Sequence, residues 1–201
     1  MGLTRVRTAG ITDSNITSVK LGDDAFHVKK LQDFALSSPT TALDIDLSSF
    51  TSDFTRFKLY TRHMEFDSGA IPYFQKLTAS NTVASSGWYG GGSYAGEGIT
   101  GTAQYSNQAG FYFLADNTHT TATTANYLGV FEIDWTLQED NRVNATAQGV
   151  MRIESGQTCW INSGAIGINT GTNHGIRLTI GGSSSQNMQD IHYTLFGVKS
   201  N

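Results

Sequence analysis

Carboxylates spaced two residues apart are the first chemistry this sequence offers. Asp44 and Asp46 stand in ALDIDL, and Glu132 and Asp134 stand in VFEIDWTL. On an extended strand, residues two apart share a face. Paired acids across a groove are what a glycosidase needs, and oxygen ligands of this kind also suit calcium. A solvated strand face produces the same pattern and is the plainer reading of both pairs. Acidic residues are otherwise sparse, and spacing alone places no second acid opposite either pair.

The other reactive residue types form no motif. The five histidines, His27, His63, His119, His174 and His192, show neither i,i+4 nor His-x-His spacing, so no zinc site is expected. No catalytic or cofactor-binding residue is assigned. The single cysteine, Cys159, stands between Thr158 and Trp160 and reads as a small hydrophobe on a strand. Gly96 to Gly101 fits G-x-G-x-x-G, but GTAQYSNQAG follows where dinucleotide binding requires a helix. The expectation there is a glycine-rich loop.

That loop, SSGWYGGGSYAGEGITG at 85–101, is the best candidate for binding. It holds seven glycines with Trp88, Tyr89 and Tyr94. Glycine permits close approach by a partner, and aromatic rings with polar tips suit sugars and protein surfaces. The alternative is that these aromatics fold back onto the domain or pack at a subunit contact. A polar, threonine-rich stretch at 115–126 resembles a loop tip.

Bulk composition narrows the classes. Only 15% of the 201 residues are charged and the net charge is −4, which argues against a nucleic-acid partner. Eight of the thirteen Lys and Arg lie within residues 1–62. Beyond them Thr, Ser, Asn, Gln and Gly supply most polar surface. No apolar run reaches the ~18 residues of a membrane span. The opening MGLTRVRTAG lacks the apolar core of a signal peptide. A protein made in a cytoplasm and packed into a particle is the expectation.

The elements that must position these residues are strands. Leu43, Ile45 and Leu47 alternate with Asp44 and Asp46. Phe57 and Leu59 alternate with Arg56 and Lys58. Tyr127, Phe131, Ile133, Trp135 and Leu137 share one face, with Gly129 at the remaining position, and oppose Glu132 and Asp134; a turn at 139–141 leads into a partner strand over 143–154. Ile176, Leu178 and Ile180, then Ile191, Tyr193 and Leu195, repeat the pattern. A weak helical stripe is visible only near Phe26–Phe34. Eight to ten short strands with Gly, Ser, Asn and Thr turns predict an all-β fold, a jelly-roll-like antiparallel β-sandwich. The head spans 26–201. Residues 1–25 read as an extended N-terminal arm, whose Ile11, Ile16, Val19 and Leu21 are candidates for attachment and oligomerisation.

Four stretches carry a family resemblance. AGITDSNITSVKL at 9–21 resembles a connector found upstream in phage fibre and virion proteins. IDLSSFTSDFTRFKLY at 45–60, EFDSGAIPYF at 65–74 and the terminal YTLFGVK at 193–199 resemble segments of bacteriophage tail-fibre-like β domains. The resemblance implies a β-sandwich in a trimeric virion appendage and carries over no catalytic residue. The chain contains no extended shaft, so a small tail, neck or head fibre, or a capsid decoration (cement) protein, is implied. The expected protein is a non-enzymatic virion component. It is a homotrimer held to other virion proteins by its arm, with a head that contacts a host surface glycan and inserts into no membrane. A lectin-like carbohydrate-binding module is the alternative. A glycan-degrading enzyme is the third reading and has the least support.

Overall fold

A computed structural model describes residues 28–67, 71–79, 82–96, 99–112, 129–152, 158–181 and 187–199. The strands are β1 (Val28–Ala35), β2 (Ala42–Asp46), β3 (Arg56–Phe66), β4 (Ile71–Ala79), β5 (Thr82–Val83), β6 (Trp88–Gly96), β7 (Ile99–Gln108), β8 (Phe111–Tyr112), β9 (Val130–Leu137), β10 (Val143–Arg152), β11 (Thr158–Gly167), β12 (Gly175–Gly181) and β13 (Met188–Val198). They form two antiparallel sheets. The larger runs β1-β13-β3-β9-β10-β11-β6-β7, and the smaller runs β2-β12-β4-β5, with β8 also on β4. No helix among the described residues is long and apolar enough to cross a membrane.

The expected jelly roll is present in the pairing. With β5–β7 and β10–β11 set aside, eight strands remain. They pair first with last and inward from there: β1 with β13, β2 with β12, β3 with β9, β4 with β8. This nesting of antiparallel pairs is the jelly roll. The four strands β10, β11, β6 and β7 extend the larger sheet beyond β9.

Period-two patterning made this arrangement possible. Phe57 and Leu59 of β3, Phe131, Ile133 and Trp135 of β9, and Tyr193 and Leu195 of β13 are all buried. They join one core with Ile45, Phe74, Ile176 and Leu178 of the smaller sheet. The predicted hairpin, 127–137 against 143–154, forms in register over its described residues, Val143 to Val150 opposite Leu137 to Val130, and residues 127, 128, 153 and 154 lie outside the described residues. Its turn places Asn141 at φ 65°, a conformation that asparagine tolerates.

Two expectations are corrected. The weak helical stripe near Phe26–Phe34 is β1 over its described part. A register shift between Lys30 and Gln32 interrupts the alternation. Leu31 and Phe34 therefore both pack on the core three residues apart, which mimics a helical spacing. The glycine-rich segment 85–101 is mostly the hairpin β6–β7 rather than a loop. A Cβ on Gly90 would stand 2.8 Å from Ala165 Cα, and one on Gly92 2.7 Å from Ser163 Cα. The close approach that these glycines permit is to the backbone of β11.

A buried lysine closes one end of the sandwich. Lys76 of β4 is 1% exposed. Its Nζ donates to the carbonyls of Asn141 (2.6 Å), Asn169 (2.8 Å) and Gly171 (2.5 Å). It thereby fastens the β9–β10 turn and the β11–β12 loop to β4. Burial pushes the ammonium down to about 8, with the Asp140 charge opposing. The arm residues Ile11, Ile16, Val19 and Leu21 lie outside the described residues.

Candidate binding face

The outward face of the larger sheet is built from cross-strand rows. Strand alternation sends Phe131, Ile133 and Trp135 inward, so Val130, Glu132 and Asp134 face out. Register then extends each position across β10, β11, β6 and β7. Val130 aligns with Val150, Trp160, Ala95 and Thr100. Glu132 aligns with Gln148, Asn162, Ser93 and Thr102. Asp134 aligns with Thr146, Gly164, Gly91 and Gln104. The face thus carries an apolar row, a row of five polar side chains, and a row whose centre is two glycines.

The apolar row is open. Trp160 is 47% exposed, Val150 42% and Val130 53%. On β3, Tyr60 stands opposite Glu132, and its ring meets Phe196 edge-on at 5.7 Å. A crevice of about 390 Å³ is lined by Tyr60, Val130, Val150 and Trp160 among others. Beside it a cleft of about 210 Å³ is lined by Glu132, Asp134, Thr146, Gln148 and Asn162. Across the sheet an open groove of about 790 Å³ runs along Gly90, Gly91, Gly92, Thr102, Gln104 and Tyr105.

The acids on this face are occupied by cations. Arg56 donates twice to Asp134, at 2.5 and 2.6 Å. Lys58 Nζ lies 2.7 Å from Glu132 and 3.2 Å from Asp134. Tyr60 and Gln148 also donate to Glu132. The Lys58 hydrogen bond holds Glu132 below the ordinary carboxylate range. Burial pushes Asp134 up, but Arg56 and Lys58 outweigh it and leave that carboxyl low. On β2, Asp44 is held by Arg177 at 2.6 and 2.8 Å. Asp46 accepts from the Ser48 amide at 2.8 Å, and the Ser48 hydrogen bonds keep it low. The carboxylate pairs of the sequence are therefore ion-paired or turn-capping groups.

The aromatic trio of the glycine segment is divided by the strand. Trp88 is 1% exposed, with its ring 5.4 Å from Trp135 and 6.3 Å from Phe111. Tyr94 lies opposite buried Ile161 and packs on the core. Tyr89 alone faces out, at 38% exposure. Trp88 sits at an inward position of β6 and cannot share a contact surface with Tyr89. The exposed tryptophan is Trp160, beside buried Cys159. Burial raises the Cys159 thiol, whose Sγ contacts the Met151 carbonyl at 3.4 Å.

Register also assembles a cluster that linear spacing hid. His63 of β3 and His192 of β13 are cross-strand partners. Asp190 lies between them, 3.4 Å from His63 Nε2 and 3.0 Å from His192 Nε2. Among the described residues no group of three or more His, Cys, Asp or Glu has the arrangement to hold a metal ion. The signal available in the sequence was Ile191-His192-Tyr193 and Arg62-His63-Met64 on facing strands, which only known register would align.

Compared with family models, curated proteins and solved structures, the chain matches none.

Proposed function

We propose that this chain is a structural virion protein of a bacteriophage. It is the displayed β-sandwich head of a short tail, neck or head fibre and is not an enzyme. The observation that carries the reading is the open face of the larger sheet, a surface with exposed aromatic and amide side chains on β9 and the strands that extend the jelly roll. The resemblance at 9–21, 45–60, 65–74 and 193–199 supplies the virion context. Attachment and trimer formation are assigned to the arm, through Ile11, Ile16, Val19 and Leu21. Each buried aliphatic side chain contributes roughly 1.5–3 kcal/mol.

The state of three carboxylates disfavours glycoside hydrolysis at those residues. Glycoside hydrolysis needs one acid kept protonated by a raised pKa. Asp46, Glu132 and Asp134 are instead held ionised.

The test is competition. Purified full chain, added to host cells before the particles, is expected to slow adsorption in proportion to its concentration. Unchanged adsorption contradicts receptor contact by this head. Release of reducing sugar from host envelope polysaccharide contradicts the non-enzymatic assignment.

A further inference from the structure

The geometry points to a neutral, extended polysaccharide as the ligand of the larger sheet, bound across the strands with one sugar ring stacked on Trp160. This deepens the proposed host-contact role and rests on it. It also moves the aromatic contact from Trp88, Tyr89 and Tyr94 to Trp160 of β11.

Three observations converge. First, Trp88 and Trp135 are in the core, whereas Trp160 is about half exposed on the outward face of the larger sheet. An indole face offers apolar area that the C–H face of a pyranose can cover. Second, Glu132, Gln148, Asn162, Ser93 and Thr102 stand in register across five strands beside that ring. They supply carboxylate, amide and hydroxyl groups, the donors and acceptors that sugar hydroxyls need. The row spans about 19 Å, four strand spacings of about 4.8 Å, and one sugar unit is about as wide as one spacing. Third, Gly164 and Gly91 lie in the next row, so side chains there do not block a chain resting on the polar row.

Charge decides between classes of polymer. Lys58 and Arg56 are each committed to Glu132 or Asp134. No uncommitted cation stands in the three rows, so an acidic or sulfated polymer gains little there, and a neutral one desolvates no unpaired charge. Asn162 is exposed, with no hydrogen bond of its side chain within the described residues, and is the amide readiest to engage a hydroxyl.

The test uses the full chain on an array of neutral, acidic and sulfated glycans, beside Trp160→Ala, Asn162→Ala and Tyr89→Ala. Binding to a neutral glycan is expected, strengthening with length up to about four units. Trp160→Ala is expected to weaken it about tenfold or more, Asn162→Ala about threefold, and Tyr89→Ala not at all. Should Trp160→Ala not fold, Trp160→Phe, which keeps a flat ring, and Asn162→Ala decide the matter. Retained affinity in Trp160→Phe with loss in Asn162→Ala supports the site. No neutral glycan bound, binding only to acidic glycans, or undiminished binding without Trp160 or Asn162 overturns it. A Trp160→Ala chain that loses an oligomer but keeps glycan affinity also overturns it and makes the face a subunit contact. If wild type and Trp160→Ala block adsorption equally, the site fails and the display role stands. If neither blocks adsorption, the display role fails.

Discussion

Lys76 shows at the scale of one residue how strongly tertiary context can override a side chain's usual place. Lysine is almost never fully buried, yet here three carbonyls take its three donors. Lys76→Met keeps most of the volume and strands those acceptors. It is expected to lower stability by on the order of 3 kcal/mol, read from urea unfolding. The ion pairs on the open face make a pH prediction. Glu132 and Asp134 are depressed in the folded state, so the unfolded chain binds more protons in acid. Their contribution is present above the unfolded carboxylate range, about 4, and is lost as pH falls through the lower folded values. Asp134→Asn removes part of that dependence. Its stability is expected to fall less steeply between neutral pH and about pH 2. Neither Lys76 nor the His63–Asp190–His192 cluster was legible in the sequence, because both depend on register and loop closure.

At the scale of elements, alternation made most strands legible. β3, β9, β12 and β13 follow the inward positions that the sequence marked, at Leu59, Ile133, Leu178 and Tyr193. Two elements misled for identifiable reasons. β1 carries a bulge that shifts its phase. β6 is rich in glycine, which ordinarily weakens a strand, but here glycine fits β6 against β11. Gly92→Ala is therefore expected to destabilise by about 1–3 kcal/mol. Hydrogen exchange in that variant is expected to speed up over β6 and β7 before the jelly-roll strands. Uniform acceleration across β3, β9 and β13 would contradict this. The candidate face was legible only in part. Glu132 and Asp134 were marked on an outward face, but Trp160 was noticed only as the neighbour of Cys159. Its alignment with Val150 and Asn162's alignment with Gln148 follow from β10–β11 pairing, which no local spacing announces.

At the scale of the molecule, the jelly roll and its extension share one core. The inward faces of β10, β11 and β6 add Val143, Ile161 and Trp88 to it, and the outward faces of β10, β11, β6 and β7 widen one sheet into a face. The arm reading makes oligomeric state the next prediction. Light scattering of the full chain is expected to give a trimer mass, and replacing Ile11, Ile16, Val19 and Leu21 by Ser is expected to give monomers. A monomeric wild type contradicts the trimer. The account as a whole rests on this chain being part of a particle. Quantitative mass spectrometry of particles purified from the producing culture tests that most directly. The account predicts peptides of this chain at a fixed copy number, a multiple of three, relative to the major capsid protein. Absence of those peptides from purified particles, with abundant chain in the remaining lysate, would contradict it.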